Sequence, residues 1–134
     1  MKVLPVALLV LTTVLAGCAS SSSSSSSSAA TPAQKLAALQ EGGTPSAGDP
    51  LVAQFQSALD AVKPACREPQ DKVASEIWAS WQDLQKNNRP TSLLHVAQAL
   101  DTVTSGLTPN AEPTNCASLL AAYLVTAEAP GGQP

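Results

Sequence analysis

From residue 49 onward the apolar residues of this chain recur at the spacing of a helix face. No stretch alternates with period two for long enough to make a strand. Asp49-Pro50 opens a helix whose Leu51, Phe55, Ala58, Leu59 and Val62 share one face. Lys63-Pro64 ends or kinks it, because a proline ring disfavours the helical conformation in the residue before it. The next helix starts at Pro69, with a stripe of Val73, Ile77, Trp81 and Leu84 that Trp78 widens. Asn87-Asn88, ahead of Pro90, stops it. Thr91 or Ser92 caps a further helix in which Leu93, Val96, Ala97, Leu100 and Val103 face inward and Gly106 marks the end. After a proline-rich loop, Thr114 or Asn115 caps the last one, striped by Cys116, Leu119, Leu120, Tyr123, Leu124 and Ala127. Alanine-rich segments poor in β-branched residues favour helices. The expectation is an all-α domain over residues 49–129, a small four-helix bundle.

Upstream, Thr31-Pro32-Ala33-Gln34 has the form of a helix start, with a cap, a proline at the first helical position and Gln at the capping-box position. Leu36 and Leu39 give it a thin apolar edge and Gly42-Gly43 ends it. This short helix and its loop (32–48) either dock on the bundle or float, so the count is four helices or four plus one short. Residues 20–28 are all serine. Such a run buries no apolar surface to offset the entropy of ordering, so 18–31 reads as a disordered linker. Residues 19–31 have an r.m.s. reach of roughly 20 Å and a stretched length of about 45 Å. A spacer is the plain reading of the serine run, and a glycosylated stalk is the alternative. Pro130-Gly131-Gly132 opens a disordered tail, 130–134.

The first residues give an address. Met1-Lys2 is a short positive start, residues 3–15 are almost unbroken apolar, and small residues follow. A spanning helix needs roughly 20 apolar residues, so 1–17 reads as a cleaved secretory signal. Leu15-Ala16-Gly17-Cys18 resembles the lipobox of bacterial lipoproteins, a likeness that covers residues 1–18. The resemblance implies that Cys18 is lipidated on sulfur, becomes the mature N-terminus and is acylated on its amine. Ala19 stands where an inner-membrane retention aspartate would, which implies the outer membrane if the cell has two, and otherwise the outer face of the cell membrane. The membrane partner is then reached through the N-terminal lipid, since no second apolar run is long enough to span.

The formal net charge is −3, and Lys2 leaves with the signal, so the processed chain is more acidic still. Without clustered Lys and Arg there is no nucleic-acid footprint and no polybasic hold on an anionic membrane. Several acyl chains suffice where one would be marginal.

Cys66 and Cys116 are the remaining thiols, and two cysteines in an oxidising compartment usually pair. Cys66 lies in the turn after the helix ending at Val62 and Cys116 at the start of the last helix, positions that fall at one end of an antiparallel bundle. A bridge closing a loop of that length is worth roughly 4 kcal/mol by chain entropy. Aromatic residues make up 3% of the chain, so the core has few large anchors and the staple matters more. The pair is not Cys-x-x-Cys, the commoner redox-active spacing. Two distant cysteines and the single His95 do not meet zinc spacing, so neither metal nor cofactor is expected.

Catalytic signatures are missing: Gly-x-Ser-x-Gly, a glycine-rich phosphate loop and His-Glu-x-x-His do not occur. His95, between Leu94 and Val96, reads as a surface or edge residue rather than a base. Glu76 and Asp83 could share a helix face, but that spacing is common on solvated helices, and Lys72 with Glu76 is an ordinary helix pair. The chain is not expected to be an enzyme. Trp78 and Trp81, two of its four aromatics, are the candidate partner groove. Either both pack the core, or Trp78 and its flanks line a groove for a partner's helix or a small apolar ligand.

The body resembles small uncharacterised lipoproteins of high-GC bacteria, in Pro64-Ala65-Cys66, the helix through Ile77, and Asn115-Cys116 leading to Ala121-Ala122-Tyr123. In architecture over 49–129 it also resembles the pilotins of type II secretion, disulfide-containing helical lipoproteins. The resemblances imply a non-enzymatic protein-interaction module that binds an envelope protein. The alternatives are a pilotin-like chaperone of an outer-membrane secretin, or a carrier of a small apolar ligand in the bundle core.

Overall fold

The computed structural model describes residues 29–128; the signal, Cys18, the serine run and the tail lie outside the described residues. Five helices make up the body: α1 (Pro32–Glu41), α2 (Pro50–Val62), α3 (Gln70–Lys86), α4 (Leu93–Ser105) and α5 (Cys116–Glu128). The described residues contain no strand, only an isolated parallel bridge between Cys66 and Thr114.

Local chemistry sets most of the helix ends. Thr31 and Gln34 form a full capping box: the Gln34 N–H donates to Thr31 Oγ1 (3.2 Å) and the Thr31 N–H to Gln34 Oε1 (2.9 Å). Asp49 caps α2 through the Leu51 N–H (2.8 Å), and of the two candidates Ser92 caps α4 through His95 N–H (3.0 Å). Asn115 caps α5, with Oδ1 accepting from Ser118 N–H at 3.1 Å. At the end of α3, Asn88 takes the left-handed conformation (φ 54°). Arg89 N–H then reaches back to Leu84 O and Asn88 N–H to Gln85 O, the paired bonds of a Schellman turn. Gly106 ends α4 without a left-handed residue (φ −77°).

The core gathers Phe55, Leu59 and Val62 of α2, Val73, Ile77 and Leu84 of α3, Leu93, Val96 and Leu100 of α4, and Leu120 of α5. The helix over 32–41 docks: Ala33, Leu36 and Ala37 are fully buried, and α1 packs on α2, α3 and α4. Two small residues flanking one leucine let it sit close to its neighbours, so a thin apolar edge is enough.

On α3 and α4 two inward expectations need correcting. Val103 is 36% exposed and Thr104 is buried in its stead. At 100° per residue Val103 lies about 70° from the centre of the α4 stripe and Thr104 about 30°. The Thr104 hydroxyl meets its need by donating to Asp101 O at 3.0 Å. Trp81 is half-buried rather than central, because its Nε1–H donates to Thr91 O (2.8 Å) at the edge of the bundle.

Candidate functional site

α1 and α3 converge without closing, and the space between them is an apolar groove of about 400 Å³. Leu36 and Ala74 are its buried floor, and Leu39, Ser75 and Trp78 its sides. Leu39 is 45% exposed, more than 100° around α1 from the docked face, so it is presented to the groove and to solvent together. Lys35 Nζ and Asp71 Oδ1 meet at 3.0 Å on the rim, an exposed pair that adds little stability but neutralises both charges there.

Of the two tryptophans singled out in the sequence, Trp78 lines this groove and Trp81 does not. Trp81 supports it from behind: the rings stack with centroids 4.9 Å apart and planes inclined by 21°. The Gln85 amide joins Trp81 in donating to Thr91 O (3.0 Å). The sequence reading missed Lys35, Leu39, Asp71 and Ala74 as groove residues. Leu39 was read in the sequence as part of the apolar edge of α1 with Leu36; the structure turns it outward instead, onto the groove.

Cys66 and Cys116, also anticipated, stand at disulfide distance with Cα atoms 5.3 Å apart. The backbone holds them from both sides: Arg67 N–H donates to Thr114 O (2.9 Å), Thr114 N–H to Ala65 O (2.8 Å), and Arg67 Nε–H to Pro113 O (2.6 Å). Glu68, unremarked in the sequence, reaches across so that Oε2 accepts the Cys116 N–H at 3.1 Å. Its carboxylate thus lies at the positive end of α5.

The other candidates do not assemble into chemistry. His95 is exposed and lies on a shallow apolar groove of about 320 Å³ with Ala99, Thr102, Val103 and Tyr123. Glu76 pairs with Lys72 (3.6 Å) and Asp83 with Lys86 (3.8 Å). Burial, then the nearby Glu68 carboxylate, push the Glu76 carboxyl above its usual range, while Lys72 pulls the other way. Its Oε2 is buried with no hydrogen-bond partner. Burial likewise raises the Tyr123 phenol. Among the described residues no helix is long and apolar enough to cross a membrane. In comparisons with known proteins, no family model, no curated protein and no solved structure matches this chain.

Proposed function

We propose that the chain is an exported lipoprotein, anchored through Cys18, whose helical body binds another envelope protein without catalysing a reaction. The observation that supports this is the α1/α3 groove, an apolar trough with Trp78 on one side and the half-exposed Leu39 on the other. Its dimensions suit a short amphipathic helix. The lining runs from Asp71 to Trp78 along α3, about 10 Å of axis, which is the length of about two turns of a partner. A partner presenting apolar side chains at i, i+3 and i+4 would meet Leu39 and Trp78 above the Leu36 floor, and the neutralised Lys35–Asp71 rim would not oppose it. The groove is partly open to solvent rather than enclosed, which favours a peptide segment over a small ligand held in a closed cavity.

A photo-crosslinking residue placed at Ser75 in living cells tests the reading against the same residue at Ser57, an exposed position on α2. The expected result is one envelope protein captured from position 75, absent from position 57, and lost when Leu39 is replaced by Asp. Equal capture from both positions, or none, would rule out the groove as the binding surface. Separately, Cys18→Ser should release the chain from membranes. Continued membrane association would refute the lipid anchor.

A further inference from the structure

The sequence offered two distant cysteines and His95, which is no metal site. The fold supplies a different third group. The sulfurs of Cys66 and Cys116 and a carboxylate oxygen of Glu68 all lie within 4.8 Å of one another. Both cysteines are buried and Glu68 is half-buried. We propose that, in its dithiol form, this corner of the protein is a binding site for one thiophilic cation of the Zn²⁺ type, ligated by Cys66, Glu68 and Cys116.

Three independent features carry the proposal. First, more than the sulfur–sulfur bond ties the two cysteine-bearing segments together. The main-chain bonds of Arg67 and Thr114, with the Arg67 side chain on Pro113 O, also join the two segments. Two zinc-bound sulfurs sit about 3.8 Å apart, given Zn–S bonds of about 2.3 Å in tetrahedral geometry. With Cα atoms held 5.3 Å apart, rotation of the two side chains accommodates that separation. Second, Cys66 and Cys116 are both buried, so an ion held between them is shielded from competing solvent. Third, Glu68 is already turned toward this point by its bond to the Cys116 N–H. Two thiolates and one carboxylate suit a borderline-soft divalent ion and leave a fourth position for water, whereas Ca²⁺ or Mg²⁺ would require oxygen ligands throughout.

The chemistry balances as follows. A dithiol or phosphine reductant supplies two electrons and is itself oxidised, and two protons from solvent complete the Cys66 and Cys116 thiols. Binding of Zn²⁺ then displaces both thiol protons to buffer, with no change in the oxidation state of the metal.

The test uses the full chain carrying Cys18→Ser, in which Cys66 and Cys116 are the remaining thiols, solubilised in non-ionic detergent. This variant makes the result independent of the lipid anchor. After reduction, removal of the reductant and titration with Co²⁺ in the absence of oxygen, a thiolate-to-cobalt absorption band should saturate at one ion per chain and vanish when Zn²⁺ is added. Cys66→Ser should abolish the band. Glu68→Gln should weaken binding by about tenfold or more. Because Glu68 also caps α5, helicity of that variant is followed by circular dichroism. As a second readout, Zn²⁺ should raise the Tm of the reduced chain and leave that of the oxidised chain unmoved. Absence of the band on the reduced, helical chain would overturn the site, as would a reduced chain whose Tm ignores Zn²⁺. Unchanged affinity in a folded Glu68→Gln chain would overturn the three-ligand assignment.

Discussion

Trp78 lies against Trp81 with ring centroids 4.9 Å apart, and Trp81 is in turn tied by its indole N–H to Thr91 O at 2.8 Å. The groove wall therefore borrows its rigidity from a residue outside the groove. Replacing Trp81 by Phe keeps a ring but removes the donor. The expected cost is about 1 kcal/mol in urea unfolding, the ordinary net value of one hydrogen bond. The fluorescence of the remaining Trp78 should shift to the red as its support loosens. An unshifted spectrum would show that Trp78 holds its position alone.

Loss of the bridge between Cys66 and Cys116 should lower the Tm by more than about ten degrees. A sequence separation of 50 residues corresponds to roughly 4 kcal/mol of loop-closure entropy in the unfolded chain. Calorimetry of the oxidised and reduced protein in chelator, with no added metal, checks this.

Leu36→Ala should destabilise the protein by about 2–4 kcal/mol, the range for deleting a fully buried leucine side chain. The variant reports on whether α1 is part of the cooperative unit. A change under about 0.5 kcal/mol, the size of a surface effect, would mean that α1 detaches before the rest unfolds.

Glu76→Gln should raise the Tm at neutral pH. The folded protein holds the Glu76 carboxyl above its ordinary range, burial being the main cause and the Glu68 carboxylate the second. The folded state therefore binds that proton more tightly than the unfolded chain does. Its ionised form is a cost at all pH values above the folded pKa, and that cost is relieved as pH falls through it. The gain from Gln should accordingly shrink between neutrality and the carboxylate range. A Tm difference independent of pH would show that the ionisation of Glu76 carries no such cost.

Where the sequence carried repetition or punctuation, it could be read. Phe55, Ala58, Leu59 and Val62 fell on one helical face because that spacing is a direct consequence of 3.6 residues per turn. Thr31, Asp49 and Ser92 capped because each places an oxygen near main-chain donors that lack partners. The pairing of Cys66 with Cys116 was read by setting Cys18 aside for the lipid, which leaves two cysteines to pair. Helix-to-helix relations were not legible. Nothing local says that Leu39 would face Trp78 rather than solvent alone, or that Glu68 would cross to α5, since both depend on how distant segments are set side by side. Val103 and Thr104 are adjacent and straddle the edge of a stripe, so hydrophobicity chose one and geometry the other.

The seating of α1 has a mechanical consequence. Ala33, in the first turn of α1, is wedged with Leu36 and Ala37 among α2, α3 and α4. A pull on the N-terminal side of α1 therefore bears first on these buried contacts, and α1 is also one wall of the groove.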